Sequence, residues 1–164
     1  MTGPRAAAPG ALTHLDEAGH ARMVDVSGKD VTAREARASG RVLLSPGAVA
    51  ALRAGTVPKG DALAVARIAG IMGAKKTPDL VPLCHPIALH SVKVDLEVTD
   101  DGVLISAVTR TADRTGVEME ALTSVTVAGL ALIDMIKAVD PAAVLTDVRV
   151  EEKAGGKTGP WRRP

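Results

Sequence analysis

Asp134 and Lys137 are the pair in this sequence whose types and spacing most invite chemistry. They stand three residues apart, on neighbouring positions of one helical face, inside the otherwise apolar or small-residue stretch from Ala121 to Val139. A stretch apolar nearly all round predicts a buried helix, where two charges are costly to desolvate unless they are paired or put to use. A structural ion pair, a helix end emerging into solvent, and an acid/base pair all fit that pattern. Glu118 and Glu120 fall at the start of the same helix. Thr115-Gly116-Val117-Glu118 has capping-box spacing, which gives Glu118 a structural role and leaves Glu120 open.

Pro82-Leu83-Cys84-His85-Pro86 presents a thiol and an imidazole on a stiff loop. No second ligand pair stands at zinc spacing, and His14, His20 and His90 form no pattern with it, so a metal site is not expected. A histidine offered to an anionic ligand and a buried loop histidine both remain open. Several cations sit at the ends of elements. Arg34 shares parity with the apolar side of its strand, so it points inward. Lys59 precedes a helix N-terminus, where backbone N–H groups favour anions. Lys153 and Lys157 flank Ala154-Gly155-Gly156. Gly156-Lys157-Thr158 matches only the end of a phosphate loop, because the required earlier glycine falls at Glu151. Convergence of these cations would make a polyphosphate site; singly, each is an ordinary solvated charge.

The elements that must position these groups follow from periodicity. Alternation from Arg34 to Leu44 predicts a strand, and Ser45-Pro46 starts a short helix ending near Gly55. A helix from Asp61 to Lys76 is acidic at its start and basic at its end, with Thr77-Pro78 stopping it. Val92, Val94, Leu96 and Val98 alternate with polar residues, Thr99 to Gly102 turns the chain, and Val103 to Thr111 returns as a hairpin partner. The long helix runs from about Gly116 to Val139, and a last strand spans about Val144 to Glu152. Strand, helices, strand, strand, helix, strand is the split β-α-β order of a ferredoxin-like α+β sandwich, an antiparallel sheet packed on helices. One-sided strands leave a sheet face that oligomerisation can bury.

The organisation is one domain over 12–153, between a disordered lead-in (1–11) and a flexible basic tail (154–164) too rich in Gly and Pro for regular structure. A net charge of +1 gives no field to recruit nucleic acid or an anionic membrane. The absence of Phe and Tyr argues against an RNA-binding sheet that stacks bases. A single cysteine, no apolar run of about 20 residues and no long apolar leader point to a cytoplasmic protein.

Nine segments resemble the cyclic pyranopterin monophosphate synthase family, which acts second in molybdenum cofactor biosynthesis. They are Leu12-Thr13-His14, Met23 to Ser27, Arg34 to Ala38, Lys59-Gly60-Asp61, Ala66 to Ile71, Pro82 to Pro86, Thr115 to Thr123, Asp134 to Val139, and Gly155-Gly156-Lys157. They run in family order over nearly the whole chain, and TGVEMEALT with PLCHP is highly specific. The resemblance implies a lyase converting (8S)-3′,8-cyclo-7,8-dihydroguanosine 5′-triphosphate to cyclic pyranopterin monophosphate with release of pyrophosphate. It also implies a ferredoxin-like subunit in a homohexamer, a trimer of dimers, with sites at subunit interfaces. By position, Asp134 and Lys137 match the family's acid/base pair and Lys59 a further catalytic lysine. Arg34, His85 and Lys153 match residues around the phosphates, and Leu83, Cys84, His85, Met119 and Glu120 match substrate-binding stretches. Ile136 stands where the family often has Cys or another small side chain. No metal or cofactor is implied, and a magnesium ion accompanying the triphosphate stays compatible with the sequence. The competing reading is a non-catalytic purine-triphosphate-binding oligomeric protein, a scaffold or sensor, which would bind authentic substrate without forming product.

Overall fold

The computed structural model describes residues 14–16, 18–157 and 159–164. The expected lead-in over 1–11 lies outside them. The elements in chain order are β1 (Thr32–Leu43), α1 (Pro46–Ala54), α2 (Ala62–Lys75), α3 (Thr77–Leu80), β2 (Ser91–Thr99), β3 (Gly102–Asp113), α4 (Glu118–Ile136), β4 (Val144–Ala154) and β5 (Trp161–Arg162). The sheet order is β2-β3-β1-β4-β5, antiparallel at every pairing. The first four strands of that order, with α2 and α4 on one face, make the ferredoxin-like α+β sandwich that the alternation predicts.

Parity explains the layering. Ala36, Ala38 and Val42 of β1, Val94 of β2, and Val103, Ile105 and Ala107 of β3 all face the helices and are buried. From the other side, Ala121, Val125, Ala128, Leu132 and Ile136 of α4 complete the core. A core without Phe or Tyr closes because the helices approach closely: a Cβ on Gly73 of α2 would lie 2.7 Å from Val127 of α4. The opposite sheet face is not apolar. It carries paired charges, among them Arg110 with Glu35, Arg37 with Glu152 and Arg149 with Glu151.

Four expectations need correction. Thr77-Pro78 does not stop the chain but opens α3, since proline suits a first helical turn. The capping box does not form: α4 has Val117 at its N-cap with no side-chain cap, and Glu118 pairs with Lys153 at 2.9 Å instead. The tail is not wholly irregular. Residues Trp161 and Arg162 pair with Lys153 and Glu152, and Arg163 donates from Nε to the Val150 carbonyl at 2.8 Å, which holds the return. Finally, α4 is not buried all round. It is long and apolar enough to cross a membrane by composition, and half of that stretch is buried against the sheet and α2. Leu130 is 63% exposed, because sheet and α2 cover only two of its sides.

Candidate active site

The antiparallel packing of α2 and α4 sorts the candidate residues into two poles. At the C-terminal end of α4, Lys59 Nζ donates to Asp134 Oδ2 at 2.8 Å and to its backbone carbonyl at 2.8 Å, while Lys137 Nζ reaches Oδ1 at 2.8 Å. Lys59 comes from the turn before α2, where Gly60 adopts a left-handed conformation (φ 100°). That helix N-terminus is already capped by Asp61, which accepts from Ala64 N–H at 2.9 Å, so Lys59 turns to Asp134 and not to an anion at the helix end. The two ammonium groups, Lys137 first and then Lys59, hold the Asp134 carboxyl down at about 2. The group is therefore a carboxylate at neutral pH. The expectation of charges sunk in an apolar helix fails here. Asp134 and Lys137 lie on the last turn, on the side away from buried Leu132 and Ile136, with side chains 56% and 58% exposed.

At the N-terminal end of α4 a cavity of about 450 Å³ opens between the helix start, the Pro82–Pro86 loop and the segment that precedes β1. Leu83, Cys84, His85, Met119 and Glu120 line it together. The Glu120 side chain is all but sealed off, at 3% exposure. Burial, and secondarily the neighbouring Glu118 charge, pushes its carboxyl up to about 7. Burial, and then Glu120, raises the Cys84 thiol above its ordinary value, so Cys84 stays protonated at neutral pH and is no ready nucleophile. His85 bonds the Val24 carbonyl through Nε2 at 2.6 Å, which fixes the ring and leaves Nδ1 to the surroundings. No spacing in the sequence links His14 to this loop, yet His14 lines the same cavity. So does Lys29, which no motif singled out. The Val24 and Val26 alternation before it was the available signal, since both valines face the cavity too.

A shallower recess of about 130 Å³ adjoins, sharing Gly116 and Glu118 and adding Arg34, Lys153 and Gly155. Arg34 points inward as its parity predicts, donating from Nε to the Asp113 carbonyl at 2.9 Å. Gly155 has φ 91°, and a Cβ there would lie 2.1 Å from the Ala33 carbonyl oxygen. Glycine is required for the chain to turn over Arg34. The recess and cavity together thus offer Arg34, Lys153, His85 and Lys29 around one helix start. Among the described residues no three His, Cys, Asp or Glu side chains converge as metal ligands.

The two poles do not share a cavity within one subunit. Fourteen residues of helix separate Glu120 from Asp134, about 21 Å at 1.5 Å per residue. The cations at the head of α4 converge with Glu120; Lys59, Asp134 and Lys137 stand apart from them.

Comparison with known proteins covers most of the chain. A model of the MoaC family matches residues 23–156, from the segment before β1 to the turn after β4. The cyclic pyranopterin monophosphate synthase of Streptomyces avermitilis is 72% identical over 152 residues, covering 93% of this chain and 89% of its own length. The synthase of a Nocardioides species is 67% identical over 159 residues, covering 95% and 98%. Cyclic pyranopterin monophosphate synthase 3 of Mycobacterium tuberculosis is 57% identical over 155 residues, covering 94% and 88%. Lys59, Glu120, Asp134, Lys137 and strands β1 to β4 all fall within the residues that the family model matches, and the chain belongs to the MoaC family.

Proposed function

We propose that this chain is a cyclic pyranopterin monophosphate synthase, a lyase that rearranges (8S)-3′,8-cyclo-7,8-dihydroguanosine 5′-triphosphate to cyclic pyranopterin monophosphate and releases pyrophosphate. The observation that carries the reading is the Lys59–Asp134–Lys137 cluster, at hydrogen-bond distances, on a chain this similar to the named synthases. The rearrangement must move protons at several heteroatoms. With Asp134 ionised, the N–H groups of Lys59 and Lys137 are the proton donors, and the carboxylate holds them in place and favours their charged form, with solvent returning the protons they give up. Glu120, buried and titrating near neutrality at the cavity wall, accepts from the N–H edge of a guanine-derived ring when ionised and gives a proton back when neutral. Arg34, His85 and Lys153 hold the triphosphate and stabilise charge developing on pyrophosphate. Leu83, Cys84 and Met119 enclose the ring. The protein supplies these groups without a resident cofactor, and the reading is compatible with a magnesium ion on the triphosphate.

A nucleotide cannot touch groups about 21 Å apart on one helix, so the working site is completed by a second subunit. Met119, Leu122, Thr126, Leu130 and Ile133 form a stripe at helical spacing along α4, from one pole to the other, and Val65, Ile68 and Met72 extend an exposed apolar surface on α2. A two-fold contact that runs α4 antiparallel to its copy brings the partner subunit's Asp134 to this chain's Glu120, and does so twice. Three such dimers make the hexamer, working in the cytoplasm. The deciding experiment incubates the protein with the cyclised triphosphate and follows product and pyrophosphate by mass. Equal amounts of both are expected, and bound but unconverted substrate would replace the enzyme with a triphosphate-binding protein.

A further inference from the structure

We propose that Trp161 is a positioning residue for Lys153, and that β5 serves to deliver its ring there. That Lys153 meets a phosphate rests on the function proposed above; the seating of Lys153 by Trp161 rests on geometry. A lysine has a flexible four-carbon stem, and close to the turn at Gly155 its own segment would leave that stem free. β5 supplies a neighbour. Trp161 is the direct antiparallel partner of Lys153, and Arg162 is that of Glu152. Directly paired residues project from the same face of a sheet. Trp161 therefore stands beside Lys153 on the helix side, where Glu118 at the head of α4 pairs with the ammonium at 2.9 Å. Arg162 falls on the opposite face with Glu152, 3.7 Å from its carboxylate. Glu118, Val150, Lys153 and Trp161 line one hollow together.

So short a strand would not hold by itself, and the residue after it locks it. Arg163 donates its backbone N–H to the Glu151 carbonyl at 2.8 Å and its Nε to the Val150 carbonyl at 2.8 Å, and its guanidinium lies over the Trp161 ring. The turn that leads to β5 starts at Gly155 and Gly156, and it passes so close to Arg34 that a Cβ on Gly156 would lie 2.4 Å from Nη1. One C-terminal return thus borders both cations of the recess: its start confines the Arg34 guanidinium, and its end flanks the Lys153 stem with an indole. The stem lies along the apolar ring while the charged head stays in polar surroundings. With Glu118 holding the ammonium and the ring beside the stem, Lys153 faces the recess before any anion arrives. The side-chain freedom that binding would otherwise cost is already lost.

The test is a double-mutant cycle between Trp161 and Lys153 in the full-length protein, read by calorimetric titration with inorganic tripolyphosphate and by steady-state kinetics with the cyclised triphosphate. Trp161→Ala is expected to raise the tripolyphosphate Kd and the substrate KM about three- to tenfold, with kcat changed by less than about twofold. Trp161→Phe keeps a flat apolar wall and stays within about twofold of wild type. Arg163→Ala, which unlocks β5 and leaves the indole in place, shifts Kd and KM in the same direction. In a Lys153→Ala background neither Trp161→Ala nor Arg163→Ala adds anything, because the side chain they position is gone. A tryptophan that only stabilised the fold would weaken binding equally in both backgrounds. Additive effects therefore overturn the proposal, as does an unchanged Kd in Trp161→Ala whose elution volume and circular dichroism match wild type, or a wild-type protein that ignores tripolyphosphate. Coupled binding of tripolyphosphate in a protein that leaves the cyclised triphosphate unconverted sinks the synthase reading and keeps this one; normal turnover with additive substitutions does the reverse.

Discussion

Replacing Glu120 by Gln tests the electrostatics of the cavity directly. In the folded chain burial places this carboxyl at about 7, against an ordinary value of 4.5. Between those two pH values the folded state holds a proton that the unfolded state has released. Stability therefore falls as pH rises through that window, and the loss is complete above the folded value. At about 1.4 kcal/mol for each pH unit, the ionised Glu120 costs the fold about 3 kcal/mol at pH 8 relative to pH 4. Gln has nearly the same shape and does not titrate. Glu120→Gln should match wild type near pH 4.5 and exceed it by about 3 kcal/mol at pH 8, a rise in Tm of about 6–12 °C for a chain of this size. Thermal unfolding from pH 4.5 to 8.5, at one fixed protein concentration, measures the difference curve. The more stable variant should also lose turnover, since a neutral amide cannot ionise to receive the ring N–H groups and later protonate. A difference curve that stays flat across pH would show Glu120 titrating normally and would remove the reason for giving it a proton-transfer role.

Three further outcomes follow from the geometry. Asp134→Ala should stay folded, because the side chain is half in solvent, and should lose about 10²–10⁴-fold in product formation by mass detection; near-normal turnover would remove the cluster from the mechanism. Coexpressing an Asp134→Ala chain with a Glu120→Ala chain should restore about a quarter of the sites, since each mixed two-fold pair rebuilds one intact site from the two chains; no recovery in verified mixed oligomers would mean that a site draws both groups from one chain. Gly155→Ala places a Cβ against the Ala33 carbonyl at a left-handed φ and should lower stability by about 1–3 kcal/mol in urea unfolding, with substrate KM raised through Arg34; a neutral result would show that the turn relaxes freely.

Much of this architecture was legible before any coordinates. The alternation of Val92, Val94, Leu96 and Val98 fixes which side of β2 meets the helices, and the same parity correctly turns Arg34 inward. What the pattern could not reveal lies between elements. Asp134 and Lys137 look buried in sequence because their neighbours are apolar, but burial depends on which sides of α4 are covered, and that is decided by α2 and the sheet. Glu118 has capping-box spacing and is captured by Lys153, thirty-five residues away along the chain. His14 meets Cys84 and His85 only because the segment before β1 folds back across the Pro82–Pro86 loop. Periodicity reports the local face of an element and is blind to which ends of antiparallel helices come together.

The short return strand at the C-terminus gives the molecule an optical handle. Trp161 is the one tryptophan of a chain without tyrosine, and β5 seats it, 41% exposed, against Lys153 and Glu118 with the Arg163 guanidinium 5.7 Å from its ring. Indole emission excited near the red edge therefore originates from a single place beside Lys153. Arrival of a polyanion at Lys153, or loss of the β5 pairing, changes the charge and hydration around that ring, and both events can be followed by fluorescence in the unlabelled protein.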